Sequence, residues 1–279
     1  MGRRGEGAAR LLPFPPREAR GPRRHADRLF HQPRHDRPAP RPAARGLRKP
    51  HVARAAGRGE RLRPLTDQIP KALVSVAGEA LIHRHLRALA GAGFRELVIN
   101  HAWLGDQLIA SIGDGSAWGL QVRWSAEAKA LETAGGIAKA LPLLGAEPFL
   151  VLNADIVCDF PLSSTFDLAK RLKQGTGEVE PLLACCVLVD NPPHHPEGDF
   201  AIDGRMCTFS GIGIYRPELF SGIRIGESAK LGPLLKSAIA QSRCFTIHHH
   251  GMWFDVGTPE RLAQAQRYLQ SDANDEDAA

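Results

Sequence analysis

The sequence predicts an α/β protein, a mainly parallel sheet with helices on both faces. From Leu73 onward short apolar runs alternate with amphipathic stretches. Strands separated by helices are joined by crossovers, which favour parallel pairing. One run, Phe149-Leu150-Val151-Leu152-Asn153, is almost wholly apolar, as a strand covered on both faces must be. At 279 residues and 43% hydrophobic, the chain suffices for one large domain or two ordinary ones with a real core.

The elements follow in order. Val74 to Gly78 reads as a short extended piece ending in a turn. Ala80 to Ala90 places Leu81, Ile82, His85, Leu86 and Leu89 on one helical face, and Gly91 and Gly93 close it. Leu97 to Asn100 is a short buried strand. Trp103 to Ile112 is a helix stopped by Gly113-Asp114-Gly115. Leu120 to Trp124 alternates as a strand does, and Thr133 to Leu144 is a helix that begins in a glycine pair. Residues 161–180 read as an insertion around a polar helix, Leu168 to Lys173. Leu182 to Val189, Phe200 to Ile202 and Thr208 to Tyr215 are extended. Glu218 to Phe220 and Leu231 to Ala240 are short helices. Phe245 to Ile247 leads to Trp253-Phe254-Asp255, and a last helix spans Glu260 to Leu269, with Thr258 as its cap and Pro259 at its first position. Ser271 to Ala279 reads as an acidic, frayed tail.

Charge divides the chain. Residues 1–50 hold fourteen Lys+Arg against four Asp+Glu; the other residues hold 22 against 26. The basic balance therefore belongs to the leader, and the mildly acidic body excludes a global nucleic-acid surface. Eight prolines between Pro13 and Pro42 forbid a long helix there, and apolar residues are too few to offset the entropy of ordering. The expectation is a disordered Arg/Pro-rich leader. It suits a phosphate-binding arm, a targeting peptide or, the reading favoured, a non-native product of a misplaced start or a frame slip. No apolar run spans a bilayer and no secretory h-region stands at the start. Five cysteines without C-x-x-C spacing argue against a disulfide framework and point to a reducing cytoplasm, with the thiols as small buried hydrophobes.

The chemistry gathers at three places. Gly57 and Gly59 lie two apart, among Arg58, Arg61, Arg63 and Lys71. Glycines let backbone N–H groups approach an anion, and the cations complete a polyphosphate grip. The same residues in isolation suit a solvated basic turn equally well. Asp155 follows the apolar strand by two residues, which puts it at the carboxyl edge of the sheet, where ligands bind. Asp255 lies about 100 residues later, just before a helix. Each aspartate alone reads as a turn or helix-cap residue, but beside the glycine–arginine–lysine loop two carboxylates with a polyphosphate suit Mg²⁺. Asp199, in Glu197-Gly198-Asp199-Phe200, suits sugar hydroxyls or a turn. His194-His195 and His248-His249-His250 are adjacent residues whose side chains point to opposite faces, so they read as surface or satisfied core residues. Trp253 and Phe254 suit a pocket wall or, the reading favoured, core packing.

The stretch Ala55-Ala56-Gly57-Arg58-Gly59-Glu60-Arg61-Leu62-Arg63-Pro64-Leu65-Thr66, with Pro70-Lys71-Ala72-Leu73, resembles the signature of the sugar-1-phosphate nucleotidyltransferases. Asn153-Ala154-Asp155 and Asp255-Val256-Gly257-Thr258 resemble that family's two metal motifs, and Leu131 to Ile137 resembles its base loop. Asn100 to Leu104, Val189 to Pro192 and Phe209 to Ile212 are most similar to the branch that uridylylates N-acetylmuramate α-1-phosphate in peptidoglycan recycling. The likeness runs from about Ala55 to Leu269. It implies a Rossmann-like, mainly parallel mixed sheet over residues 51–270. It implies a cytoplasmic enzyme that transfers UMP from UTP to a sugar 1-phosphate and releases pyrophosphate, without nucleic acid or membrane. Gly57, Arg58, Gly59, Glu60, Arg61, Lys71, Gly135 and Asn153 would bind nucleotide. Asn153 and Asp199 would bind sugar, Asp155 and Asp255 would hold Mg²⁺, and Arg61 and Lys71 would be catalytic. A thymidylyl or guanylyl transfer, or a non-catalytic binding homologue, stays open. The family leads into its glycines with a hydrophobic strand at the sheet centre. Here Pro50 and Arg54 fall in that strand, which predicts a weakened first strand. Ala154 and Ala128 stand where relatives carry glycine.

Overall fold

The computed structural model describes residues 50–54, 58–174, 181–202 and 204–276. Its strands are β1 (Pro50–Arg54), β2 (Ser75–Val76), β3 (Glu79–Ala80), β4 (Glu96–His101), β5 (Gln121–Ala126), β6 (Phe149–Asn153), β7 (Ile156–Cys158), β8 (Ala184–Val189), β9 (Phe200–Ile202), β10 (Arg205–Tyr215), β11 (Cys244–His248) and β12 (Trp253–Asp255). Its α-helices are α1 (Leu65–Gln68), α2 (Leu81–Gly91), α3 (Gly105–Ile112), α4 (Glu132–Leu144), α5 (Thr165–Gln174), α6 (Leu231–Ala240) and α7 (Pro259–Glu276).

The main sheet runs β11-β8-β10-β6-β1-β4-β5, with β9 paired to β10 beside that path. The β6-β1-β4-β5 half and the β11–β8 pair are parallel, while β10 is antiparallel to β6, β8 and β9. This is the mainly parallel mixed sheet expected. β1 is an interior strand next to the central β6, aligned with β4 over Pro50–Arg54 and with β6 from Val52 onward. Pro50 therefore occupies the first strand position, before the β6 ladder begins, where a missing N–H is tolerated.

Alternation along the strands covers both faces. Leu97, Ile99, Leu150, Leu152, Cys185 and Val187 meet α2, α3 and α5 through Ile82, Leu86, Leu108, Ile112 and Leu172. Val98, Phe149, Val151, Ala184, Cys186 and Leu188 meet α4 and α6 through Ile137, Ala138, Leu231 and Leu235. Two interleaved sets, one per face, are what a period-two strand between helical layers requires. A third cluster joins Val74, Val76, Val157 and Val256 to Ala265 of α7.

Of the segment 161–180, residues 175–180 lie outside the described residues, and residues 161–174 pack into the core more than their polarity suggests. Leu172 of α5 is fully buried, and the Phe166 ring stacks on Phe94 at 4.6 Å. α7 continues to Glu276, six residues into the stretch read as a frayed tail. No proline or glycine interrupts it after Pro259, and Gln and Ala favour helix. All five cysteines are free, and Cys185, Cys186 and Cys207 are buried. No helix among the described residues is long and apolar enough to cross a membrane.

Candidate active site

Two distant carboxylates meet through a two-stranded ribbon. β6 ends at Asn153, and Ala154-Asp155 carries the chain from its carboxyl end into β7. β12 pairs antiparallel with β7 and sets Asp255 opposite Ile156. The next rung joins Val256 N–H to the Asp155 carbonyl at 2.8 Å. Trp253 fixes β12 to the main sheet by donating its indole N–H to Ser210 C=O at 2.8 Å. Asp155 and Asp255 thus project from neighbouring rungs at the carboxyl edge of the sheet.

Each carboxylate already holds a cation. Lys71 Nζ lies 2.5 Å from Asp155 Oδ2, and Arg261 Nη1 lies 2.8 Å from Asp255 Oδ2. Lys71 opens a 3₁₀ turn, Lys71–Leu73, and is itself buried. Arg261 stands in the first turn of α7, where Thr258 Oγ1 accepts from its N–H. Behind Asp155 lies His85 of α2. Burial pushes its imidazole down to about 4, with the Asp155 charge opposing the shift. The ring is neutral at pH 7 and adds no third cation.

The glycine–arginine loop is stapled from below. Gly57 lies outside the described residues. Gly59 adopts the left-handed region at φ 68°, and a Cβ there would come 2.9 Å from Thr66 Cγ2. Thr66 Oγ1 donates to Gly59 C=O at 2.8 Å, and Trp103 Nε1 donates to Thr66 C=O at 3.1 Å. The Arg58 guanidinium lies 4.6 Å over the Trp103 ring, a cation–π contact that holds it at the rim. Glu60 is exposed in the first turn, and Arg63 turns away to pair with Asp67 at 2.8 Å.

A cavity of about 330 Å³ gathers Arg61, Asn153, Asp155, Asp199 and Asp255, five of the residues expected from the sequence. Asp199 is oriented by Phe209 N–H on Oδ2 at 2.8 Å and by His195 Nε2 at 3.2 Å from Oδ1. Gly211, at φ 86°, lets β10 pass close to Asn153: a Cβ there would fall 2.9 Å from Asn153 Nδ2. The cavity also takes His194, His195, Thr208, Ser210, Trp253 and Arg261. The histidine pair read as surface or core is therefore pocket wall. Asn191 shapes that segment, donating to the carbonyls of Pro196 and Met206 and accepting from Thr208. The one sequence signal was the i,i+4 spacing of His195 and Asp199. Burial lowers the His194 pKa; Arg261 adds to this and Asp255 opposes it.

Gly135 departs from expectation. Its N–H, like that of Ala134, is committed to Ala229 C=O, at 3.1 Å. A Cβ at Gly135 would come 2.2 Å from Glu227 C=O. This glycine seats the 227–229 segment against α4, and its amide is spent on protein. The loop before α4 is instead built on Glu127, buried yet charged in type. Glu127 accepts from Leu131 N–H at 2.9 Å and from Asn100 Nδ2 at 3.1 Å, and Asn100 also donates to Gly136 C=O at 2.7 Å. Glu132 is held at φ 59°, a conformation a non-glycine residue adopts at a cost. Nothing in the spacing of Glu127 had marked it.

A glycine turn held by Thr66, two acids on one ribbon and a wall of polar side chains thus meet at the carboxyl edge of the sheet, where ligands of α/β proteins bind. Comparison with known proteins narrows this. Residues 52–184 match the family model described as Nucleotidyl transferase. The chain is 51% identical over 224 residues to N-acetylmuramate alpha-1-phosphate uridylyltransferase of Neisseria meningitidis serogroup B, covering 76% of this chain and 94% of the relative. It is 32% identical to the Caulobacter vibrioides protein of the same name, covering 77% and 94%. Among solved structures, UDP-glucose pyrophosphorylase complexed with UDP-glucose superposes with a TM-score of 0.65 at 17% identity, covering 81% of this chain and all of the other. HddC from Yersinia pseudotuberculosis, complexed with GMP-PN, gives 0.62 at 20% identity over 79% and 99%. The chain belongs to the nucleotidyl transferase family and is a transferase of the sugar-1-phosphate nucleotidyltransferase type.

Proposed function

We propose that the chain transfers UMP from UTP to N-acetylmuramate α-1-phosphate and releases pyrophosphate, returning a cell-wall sugar to use in the cytoplasm. The observation that carries this reading is the β7–β12 ribbon, which joins Asp155 and Asp255 beside Arg61 and Lys71. The likeness to two relatives of that name selects the uridylyl branch.

A phosphate oxygen of the sugar 1-phosphate attacks the α-phosphorus of UTP in line. The new P–O bond forms as the bond to the β-phosphate oxygen breaks, and that electron pair leaves with pyrophosphate. The attacking phosphate is already anionic, so no general base is needed. The work is positioning and charge neutralisation. Gly57 to Arg61 hold the triphosphate, with Arg61 facing the leaving group. Lys71 meets the α-phosphate or the incoming sugar phosphate. Asn153 and Asp199 orient nucleotide and sugar. Asp155 and Asp255 are hard oxygen donors, two in number, and each already attracts a cation in this structure, so the pair fits Mg²⁺. Bound there, Mg²⁺ supplies positive charge to the phosphate oxygens.

A pyrophosphate-release assay with UTP, Mg²⁺ and a panel of hexosamine 1-phosphates tests the proposal. The expected result is release with N-acetylmuramate 1-phosphate, abolished by EDTA and restored by Mg²⁺. Turnover with GTP or dTTP in preference to UTP would move the assignment to another branch. Silence with every nucleotide and sugar would favour a binding protein.

A further inference from the structure

The pocket wall holds one cation that the nucleotidyl transfer above does not use. Arg261 lines the cavity yet is itself 9% exposed. One of its nitrogens, Nη1, serves Asp255. The other two, Nε and Nη2, are buried and have no acceptor. These two form the side-on edge of the guanidinium, whose parallel N–H bonds match the two oxygens of a carboxylate. Burying an arginine with two donors unpaired is costly; Nη2 rests against Gly257 here, and the guanidinium would have to rotate to bring both donors to an anion in the cavity. Gly257 makes room for this side chain: a Cβ at that position would fall 2.0 Å from Nη2. Lys71 and Arg61 are already assigned to phosphates, so Arg261 is left for a different anion.

Resting on the substrate proposed above, the chemistry of that anion follows. N-acetylmuramate is a hexosamine carrying an ether-linked lactyl group, and so bears a carboxylate that N-acetylglucosamine lacks. We propose that Arg261 is the receptor for the sugar's lactyl carboxylate, a specificity subsite beside Asp255, and that it selects an acidic sugar 1-phosphate over a neutral one. Arg261 would also steady Asp255, so loss of activity alone cannot separate the two roles. The pairing of protein variant with substrate variant can.

The experiment compares N-acetylmuramate 1-phosphate with its neutral lactyl amide, on the full chain and on Arg261→Gln. Two readouts are taken: kcat/KM with UTP, and the calorimetric Kd of each sugar phosphate. The wild type is expected to favour the acid over the amide by at least about tenfold in both, as a charge-assisted bidentate contact demands. In R261Q that preference falls to about twofold or less, whatever the absolute rate. An acid/amide ratio that is unchanged in R261Q overturns the subsite and leaves Arg261 as a positioning residue for Asp255. Should R261Q fail to fold, the wild type still decides, because equal Kd for acid and amide overturns the proposal. If the wild type binds neither sugar, the substrate reading itself fails and the subsite with it. Binding with discrimination but no turnover keeps the subsite and removes only the catalytic reading.

Discussion

Replacing Lys71 by Met separates the charge chemistry of the site from its packing. Lys71 Nζ sits 2.5 Å from Asp155 Oδ2, with side-chain exposures of 11% and 34%. Gross attraction at that distance is about 7 kcal/mol at an effective dielectric near 20. Desolvation of the ammonium and the one-third exposure of Asp155 reduce the net value to about 1–2 kcal/mol. K71M keeps the chain length of the stem, so the fold should lose no more than this in urea melts. Removing a preorganised cation from the developing phosphate charge costs much more, about 10²- to 10³-fold in turnover. Metal binding should move the opposite way. With its internal competitor gone, Asp155 should bind Mn²⁺, used as a calorimetric probe, about tenfold tighter. Pyrophosphate release at saturating UTP, Mn²⁺ titration and urea unfolding together check all three. Turnover within twofold of the wild type, or weaker metal binding, would refute the assignment of Lys71 as both metal-site competitor and phosphate ligand.

Further outcomes follow from other residues. The Tyr215 hydroxyl is buried without a partner, so Y215F should raise stability by about 1 kcal/mol, a Tm rise of about 2–4 °C. G213A, whose Cβ would fall 2.0 Å from that hydroxyl, should lower Tm. Gly135→Ala should destabilise by about 2 kcal/mol or more through its clash with Glu227 C=O. A variant of normal Tm with only a raised KM for UTP would restore Gly135 to the nucleotide. His85 is held to about 4 in the fold against 6.5 in the free side chain. The unfolded chain thus takes up a proton first as pH falls, so the contribution of the neutral His85 to stability declines from pH 6.5 downward and is mostly gone by about pH 4. The loss approaches 3 kcal/mol, about 2 of it by pH 5, and H85Q should flatten that slope in urea melts.

The alternation of apolar runs and amphipathic stretches made the layered sheet legible, because each strand must bury two faces and each helix one. Asp155 was legible for the same reason: a carboxylate just past an all-apolar strand has few places to be other than the ligand edge. Asp255 was weaker evidence, since nothing local tells a capping aspartate from a metal ligand, and it entered only as a partner to Asp155 and the glycine–arginine loop. His194 and Arg261 escaped, and Trp253 was favoured as core over pocket wall, because their roles come from neighbours far along the chain. Trp253 reaches the pocket through Ser210, and Arg261 through Asp255. The contact of Gly135 with Glu227 was not legible, because a glycine that admits a phosphate and one that admits a carbonyl look alike in sequence. Glu127 escaped because its partners, Asn100 and the Leu131 amide, converge only once α4 is seated.

The β7–β12 ribbon also fixes when this catalyst can come into being. On the ribosome Asp155 emerges long before Asp255, and the rung that joins them needs the last strand and the helix that follows. Long-range closures of this kind form late. A nascent or C-terminally clipped chain would display the sheet and Asp155, yet lack the strand that brings Asp255 beside it. Activity is thereby reserved for chains that have been finished.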